Sequence, residues 1–300
     1  MAPVPAPSST LRAVDEVALR RAAERLRRAA EAPWLHREVA RRMAERLAIV
    51  KMQPACVLDW WAGVGAGREE LARAYPRARR IAVESHAGTA ALPPWWSARR
   101  WVGSVDEVVA EADVSPGAAQ LVWANMMLHA MADPGAAIQR WQRALATDGF
   151  LMFSTLGPGT LPELRSLYAD AGGGPAMAPL VDMHDLGDML VAAGFADPVM
   201  DQEWVTLTWP DAAAALAELR SLGANAAPDR SPGLRTPRWR EALLAALATT
   251  AKQTTDGRIG LCFEIVYGHA FKPVPRARLT PESRVALDDF RAMTRGARRT

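Results

Sequence analysis

The chain has 300 residues, half of them apolar and 23% charged, with a formal net charge of +3 at pH 7. These values allow one large domain or two modest ones with a sizeable core. No run of about 18 apolar residues is present, so no membrane-spanning helix is expected. The excess of basic over acidic residues is small, and the sequence has no stripe of basic residues interleaved with aromatic ones. Both features argue against a general nucleic-acid-binding protein.

The N-terminus and the cysteines bear on where the protein works. The opening residues MAPVPAPSST lack the basic start and apolar core of a signal peptide, so we expect a loose tail. Cys56 and Cys262 lie far apart in apolar runs, which predicts buried, reduced thiols rather than a disulfide or a metal site. Together these features predict a cytoplasmic protein without a metal centre.

Helical and strand-like patterns alternate along the chain. The predicted helices are 14–30, 34–50, 68–75, 134–146, 184–193, 211–222 and 237–250. The predicted strands are 55–59, 80–84, 120–125, 150–155, 198–209 and 261–271.

This alternation predicts an α/β fold, a doubly wound, mostly parallel sheet with helices on both faces. We expect N-terminal helices in 1–50, the main domain in 51–272 and a basic tail in 273–300. The helices within 210–257 are predicted to form a cap inserted over the ligand-binding edge. Ligands of such sheets bind at the carboxyl ends of the strands, so the residues that follow each strand are the informative ones.

The first predicted strand runs into a glycine-rich turn, VLDWWAGVGAG, at 57–67. Gly63, Gly65 and Gly67 would let the backbone pass close to a ligand. A phosphate-binding loop would need Gly-Lys-Ser/Thr, which is absent, and a nicotinamide fingerprint matches only in part. Two tryptophans, Trp60 and Trp61, open the turn, so it either still holds a ligand or is filled in. A purely structural turn is the simpler alternative.

Glu84 ends the second predicted strand, 25 positions after Asp59. A carboxylate there can accept hydrogen bonds from ribose hydroxyls. An acid placed to bind ribose indicates an adenosine ligand, and the missing phosphate-binding loop indicates that this ligand carries no phosphate. An adenosine that carries an amino-acid moiety instead, such as S-adenosylmethionine, is therefore favoured. The alternative is an ordinary surface acid at a strand end.

Several stretches resemble a known family. The order of VLD with GVG, YPRARRIAVE, LVWANMMLH and TDGFLMFSTLGPGT is similar to the class I S-adenosylmethionine-dependent methyltransferases. Longer stretches resemble the malonyl-[acyl-carrier protein] O-methyltransferases of biotin synthesis, and the similarity runs from about residue 22 to 272. These stretches are LHREVARRMAERL, FSTLGPGTLPELR, DMHDLGDMLVAAGFADPVMD, LRSLGANA and FEIVYGHAF.

The resemblance implies a seven-stranded, Rossmann-like sheet and S-adenosyl-L-methionine as the cofactor. The implied reaction places a methyl group on the free carboxylate of a malonyl thioester. The implied partner is acyl-carrier protein or coenzyme A carrying that thioester, with no nucleic acid and no membrane. A carboxylate is already ionised at neutral pH, so no general base is required. Catalysis then depends mainly on positioning and the exclusion of water.

The same resemblance assigns site residues by motif position. Those implied for the cofactor are Asp59, Trp61, Gly63 and Gly65 along the methionine part, Glu84 at the ribose, Ser104 or Asp106 at the adenine, and Asn125 and Met126 beside the sulfonium. The malonyl carboxylate needs a positive partner, and Arg165 is the first candidate, with Arg220 and Arg235 in the cap as others. His129, Thr155, Tyr267 and His269 are either substrate contacts or packed core residues.

The chain also departs from the family pattern. Trp61 stands where the family has the first glycine of the turn, and Gly159 replaces an aspartate in GPGT. Trp95 and Trp96 add bulk after the second strand. Two interpretations stay open, namely a divergent but active methyltransferase and a catalytically inactive paralogue that acts as a binding or regulatory protein. A nicotinamide-dependent dehydrogenase is less favoured.

Overall fold

The computed structural model describes residues 12–29, 31–85, 107–231, 233, 235–250, 252–253 and 256–274. Within these ranges the strands form one sheet in the order β3-β2-β1-β4-β5-β8-β6, and the two-residue β7 pairs with β8. The strands are β1 (Cys56–Trp60), β2 (Arg79–Glu84), β3 (Glu107–Ala110), β4 (Ala119–Ala124), β5 (Leu145–Leu156), β6 (Ala196–Trp209), β7 (Lys252–Gln253) and β8 (Ile259–Phe271). Strands β1 to β5 pair in parallel, and β8 runs antiparallel to β5 and β6. The predicted doubly wound, mostly parallel sheet is confirmed.

Several helices of the described ranges begin with a side-chain cap. The helices of these ranges are α1 (Glu16–Arg28), α2 (Trp34–Leu47), α3 (Ala62–Gly65), α4 (Arg68–Ala74), α5 (Pro134–Ala144), α6 (Pro162–Asp170), α7 (Met183–Ala192), α8 (Ala212–Leu219) and α9 (Pro237–Thr250). Asp133 accepts a hydrogen bond from the Ala136 N–H at 2.9 Å and begins α5. At the end of α7, Gly194 has φ +90° and the Phe195 N–H donates to the Leu190 carbonyl at 3.1 Å. Gly194 therefore ends α7 as a glycine cap.

The sheet separates two apolar cores, because successive side chains of a strand point to opposite faces. Val57 packs into a core that contains side chains of α2, α4, α6, α8 and α9. The next residue, Leu58, packs into the other core, with Trp60 and with side chains of α5 and α7. Asp59 lies on the Val57 face, and so does Glu84, since Asp59 pairs with Ala82. The two acids therefore share one face of the sheet.

The register brings several strand ends to one edge. Trp60 pairs with Val83, and Glu84 pairs with Ala110, so β1, β2 and β3 end side by side. Asp59 pairs with Trp123, which places the residues after β4 beside the glycine turn. Polar residues distant in sequence are thus neighbours at this carboxyl edge.

The N-terminal segment is tied across this edge to the cap. The Arg12 guanidinium donates to the carbonyl oxygens of His129 at 2.6 Å and Met131 at 2.9 Å. Asp15 forms an ion pair with Arg230 at 2.6 Å, in the loop between α8 and α9. Helix α1 is therefore joined to both the β4 end and the cap loop.

The differences from the sequence prediction have local causes. Strand β3 was not predicted, since its four residues, EVVA, are flanked by acids and give no clear period. Helix α6 was not predicted either, because it is only nine residues long and it begins close to the Gly-Pro-Gly loop, whose residues are typical of irregular structure. The predicted helix 134–146 ends at Ala144, where β5 begins. The predicted domain limits stay predictions, and the tail beyond residue 274 lies outside the described residues. No helix in the described ranges combines the length and the apolar composition needed to cross a bilayer.

Candidate cofactor and substrate site

The turn after β1 is a single helical turn entered through a left-handed residue. Trp61 has φ 55° and ψ 48°, and its N–H donates to the Val83 carbonyl at 2.7 Å. Its own carbonyl accepts from the N–H groups of Val64 at 2.8 Å and Gly65 at 2.9 Å, which forms α3. A left-handed conformation costs a side-chain-bearing residue about 1–2 kcal/mol. Trp61 carries this cost at the position where the family resemblance described above implies a glycine.

The side chain of Trp61 turns towards the end of β3. Its indole N–H donates to a carboxylate oxygen of Glu111, which also accepts from the Trp60 indole at 3.2 Å. The other Glu111 oxygen lies 3.3 Å from the Arg140 guanidinium. Trp61 is only 9% exposed. The indole is therefore held on the β3 side of the turn, and Glu111, which the sequence reasoning missed, anchors it.

Asp59 and Glu84 are buried acids at the carboxyl edge, 1% and 4% exposed. One Glu84 oxygen accepts from the Gly63 N–H at 2.8 Å. The other Glu84 oxygen and both Asp59 oxygens make no hydrogen bond within the described part of the chain. A buried carboxylate oxygen without a donor is costly, so these oxygens are available to donors of a ligand.

The charges of these acids respond to that environment. Burial raises the pKa of Asp59 to about 7, the negative charge of Glu84 adds to this, and Arg68 opposes it. Burial also raises the pKa of Glu84, against the Gly63 N–H and the positive charges of Arg27 and Arg68. A cationic ligand group placed beside them would favour their ionised forms.

The glycines of the turn are required by close approach. A Cβ atom at Gly63 would lie 3.2 Å from a Glu84 oxygen, and one at Gly65 would lie 3.1 Å from the Asn125 carbonyl oxygen. Gly63 is itself exposed, so its backbone can face a ligand. Gly67 has another role, because a Cβ atom there would lie 2.3 Å from the Trp123 indole nitrogen. Two of the three glycines thus line the candidate site, and the third allows packing.

Asn125 fixes the turn from the β4 side. Its side-chain amide donates to the carbonyl oxygens of Gly65 and, at 2.8 Å, His36. Its side-chain oxygen accepts from the Ser154 hydroxyl at 2.6 Å. Met126 follows in a left-handed conformation, φ 50°, and its N–H donates to the Ser154 carbonyl at 3.1 Å. Asn125 therefore holds the backbone that would surround the ligand.

Two histidines pack behind this backbone. The Nδ1 atom of His36 lies 2.9 Å from the Val64 carbonyl oxygen, and burial lowers the pKa of His36 to about 4. The neutral ring therefore carries its proton on Nδ1 and donates it to Val64. Burial lowers the pKa of His129 to about 3, and the charges of the Arg12 guanidinium and, in acid, of protonated His36 act in the same direction. The sequence reasoning missed His36, although its place among the buried Leu35, Val39 and Met43 of α2 marks a polar residue on an apolar face.

The other predicted substrate residues are spread over the molecule. Arg165 is exposed on α6, and its guanidinium donates to the Pro158 carbonyl in the loop after β5. Tyr267 donates its hydroxyl to Glu203 of β6, and the His269 ring packs edge-on against Phe271. Both β8 residues lie three strands from β1, so the structure does not bring them together with Asp59 and Glu84. The predicted residues Trp95, Trp96, Ser104 and Asp106 lie outside the described residues.

The arrangement suits a ligand with a cationic group and hydroxyl groups. Three carboxylate oxygens of Asp59 and Glu84 have no hydrogen-bond partner among the described residues, and they belong to the edge where the backbone of Gly63 is exposed. These features fit the amino and ribose groups of S-adenosylmethionine.

Comparison with known proteins gives close relatives in sequence, although no family model matches the chain. It is 39% identical over 274 residues to a malonyl-[acyl-carrier protein] O-methyltransferase of Gallionella capsiferriformans, covering 88% of this chain and 93% of the relative. The protein of the same description from Laribacter hongkongensis is 37% identical, covering 81% of this chain and 84% of the relative. That from Nitrosospira multiformis is 36% identical, covering 85% and 88%.

Solved structures match in fold. The YcgJ protein of Bacillus subtilis superposes with a TM-score of 0.54 at 12% identity, covering 79% of this chain and 99% of that chain. A methyltransferase candidate from Bacillus halodurans gives 0.51 at 16% identity, covering 77% and 99%. At these identities the structures bear on the fold alone, and they agree with a class I, Rossmann-like methyltransferase fold.

Proposed function

The chain belongs to the malonyl-[acyl-carrier protein] O-methyltransferase family, and we propose that it methylates the free carboxylate of malonyl-acyl-carrier protein with S-adenosylmethionine as donor. The observation that carries this proposal is the pair of buried acids, Asp59 and Glu84, with three unused acceptor oxygens beside the exposed backbone of Gly63. A role of the product in biotin precursor synthesis is part of the same proposal.

Each part of the site has a task in this proposal. Asp59 accepts a hydrogen bond from the amino group of the methionine part, and Glu84 accepts a hydrogen bond from a ribose hydroxyl. Gly63 and Gly65 let the backbone approach the cofactor, and Trp61 borders it on the β3 side. Asn125 and Met126 shape the region of the sulfonium.

The reaction needs little proton chemistry from the protein. S-adenosylmethionine supplies an electrophilic methyl group, so a carboxylate oxygen forms the new C–O bond as the C–S bond breaks and a neutral thioether leaves. The malonyl carboxylate is ionised at neutral pH. The residues of the chain therefore contribute positioning and water exclusion, which can supply about 7–11 kcal/mol of the barrier.

The malonyl carboxylate requires a cation near the site. Arg165 is our candidate, since Pro158, whose carbonyl orients its guanidinium, follows the carboxyl end of β5. Roles for His129, Tyr267 and His269 towards the substrate stay predictions. Tyr267 is already engaged by Glu203, which counts against it.

The alternative, an inactive paralogue, has little in its favour. It depended on Trp61 filling the turn. The indole is bound to Glu111, while the Asp59 oxygens stay without a hydrogen-bond partner among the described residues. The three sequence relatives named above are all described as malonyl-[acyl-carrier protein] O-methyltransferases.

Calorimetric titration with S-adenosylmethionine and S-adenosylhomocysteine tests the cofactor part of this proposal. We expect both to bind, and Glu84→Gln to weaken binding by about 1–3 kcal/mol, the scale of a lost hydrogen bond to a charged group. Glu69→Gln, an exposed acid on the nearby α4, is the matched control and should bind as the wild type does. Unchanged affinity in Glu84→Gln would remove Glu84 from the site, and no binding to the folded wild type would refute the proposal.

A further inference from the structure

Two exposed arginines of the cap have no carboxylate partner in the part of the chain that the structure describes. Arg220 follows α8, and Arg235 precedes α9. The nearby Arg230 differs, because it is paired with Asp15. The positive charges of Arg220 and Arg235 are therefore not neutralised by an ion pair within the described ranges.

Arg235 is nevertheless held in a fixed orientation. Its guanidinium donates to the Gly173 carbonyl oxygen at 2.5 Å and stacks 4.4 Å above the ring of Trp239. The Trp239 ring in turn packs edge-on against Tyr168 of α6, with centroids 5.5 Å apart. A neutral carbonyl and an aromatic face orient the guanidinium without cancelling its charge.

Arg220 is near enough to the same tyrosine for its charge to act on the hydroxyl. Burial raises the pKa of the Tyr168 hydroxyl, and the positive charges of Arg235 and Arg220 oppose that rise. Helix α9 contacts both α6 and α8, which brings the three elements together. Arg220, Arg235, Tyr168 and Trp239 thus form one continuous feature, here named the cap arginine surface.

The cap arginine surface adjoins the approach to the site. Helix α6 begins shortly after the carboxyl end of β5, and its Arg165 binds the Pro158 carbonyl in the intervening loop. Arg165 is three residues from Tyr168 on α6, so the two side chains lie on the same side of that helix. A macromolecule bound at the cap arginine surface would therefore stand next to the edge where the acids lie.

We propose that the cap arginine surface docks the acidic face of the acyl-carrier protein and so delivers its malonyl thioester to the carboxyl edge of the sheet. This inference rests on the proposed function. Arginine, tryptophan and tyrosine are the side chains enriched at the centres of protein interfaces. Exposed charge pairs contribute modestly to affinity, speed association and weaken with added salt.

The test compares two malonyl donors that share the pantetheine arm, of which only one carries that arm on a protein. We would measure kcat/KM for malonyl-acyl-carrier protein and for malonyl-coenzyme A with the wild type and with the double variant Arg220→Gln, Arg235→Gln. The matched control is Arg77→Gln, Arg143→Gln. These two exposed arginines precede β2 and β5, at the opposite edge of the sheet.

We expect the cap variant to lose about 3- to 30-fold in kcat/KM with the carrier protein, from two lost exposed pairs. Its affinity for S-adenosylmethionine should be unchanged. Its kcat/KM with malonyl-coenzyme A should also be unchanged, because the proposed partner of the malonyl carboxylate is Arg165 and not Arg220 or Arg235. Added salt should slow the wild type more than the variant with the carrier protein.

Four results would overturn the inference. Equal losses with both donors would place the arginines at the pantetheine phosphates or in the methyl-transfer site. An unchanged rate with the carrier protein, or an equal loss in the control variant, would leave the function standing and remove this docking surface. A wild type that methylates neither donor would instead refute the proposed function, and the inference with it.

Discussion

At the scale of single residues, Asp59 links the candidate site to the stability of the protein. Its pKa of about 7 in the folded chain compares with 3.8 for an unperturbed aspartate. The folded state therefore holds this proton more tightly than the unfolded state does. The associated stability is fully present below about pH 4 and is lost as the pH rises through 7. At about 1.4 kcal/mol for each pH unit, the full loss is about 4 kcal/mol.

Asp59→Asn should remove that pH dependence, because the amide does not titrate. In urea unfolding without ligand, the wild type should lose stability between pH 5 and pH 8, and the variant should lose less by about 2–3 kcal/mol, since only the rise from pH 5 to pH 7 falls within this window. The variant should also bind S-adenosylmethionine more weakly, since it cannot offer a carboxylate to the ligand cation. The same pH dependence in both proteins would show that Asp59 is already ionised at pH 5.

At the scale of elements, the glycine turn is built from two kinds of glycine. Gly63 and Gly65 line the site, whereas Gly67 only makes room for Trp123. The φ of Gly67 is −78°, so an alanine there would meet a steric conflict rather than backbone strain. On α7, by contrast, a Cβ atom at Gly187 would meet nothing closer than Met200 at 3.7 Å.

These two positions give a matched pair of substitutions. Gly67→Ala should destabilise the protein by about 1–3 kcal/mol through overpacking. Gly187→Ala should stabilise it by up to about 1 kcal/mol, because alanine loses less backbone entropy in a helix. Thermal or urea unfolding of both variants measures this difference. If Gly67→Ala proves neutral, the Trp123 indole does not stand against the turn.

The elements also show what the sequence could predict. Strands β1, β2, β4 and β5 could be predicted because each is a compact apolar run, and Asp59 and Glu84 followed from their place near the ends of β1 and β2. Strand β3 is too short and too acidic to give a period. Glu111 and His36 act through Trp61 and Val64, which no local pattern connects with them. Such partners depend on the tertiary fold.

At the scale of the whole molecule, the N-terminal helices, the sheet and the cap meet around one edge. Helix α2 reaches the turn through His36, and Arg12 and Asp15 tie the segment before α1 to the β4 end and the cap loop. Three separate parts of the chain are thus tied together near the edge to which the acids belong. Such an arrangement suits a reaction that depends on positioning and on the exclusion of water.

The most direct measurement is intact mass spectrometry of malonyl-acyl-carrier protein after incubation with the chain and S-adenosylmethionine. We predict that the carrier gains the mass of one methylene group, with S-adenosylhomocysteine formed in equal amount. Acetyl-acyl-carrier protein, which lacks the free carboxylate, should gain no mass. A folded chain that binds S-adenosylmethionine yet leaves the malonyl carrier unchanged, or methylates both carriers alike, would refute the proposed function.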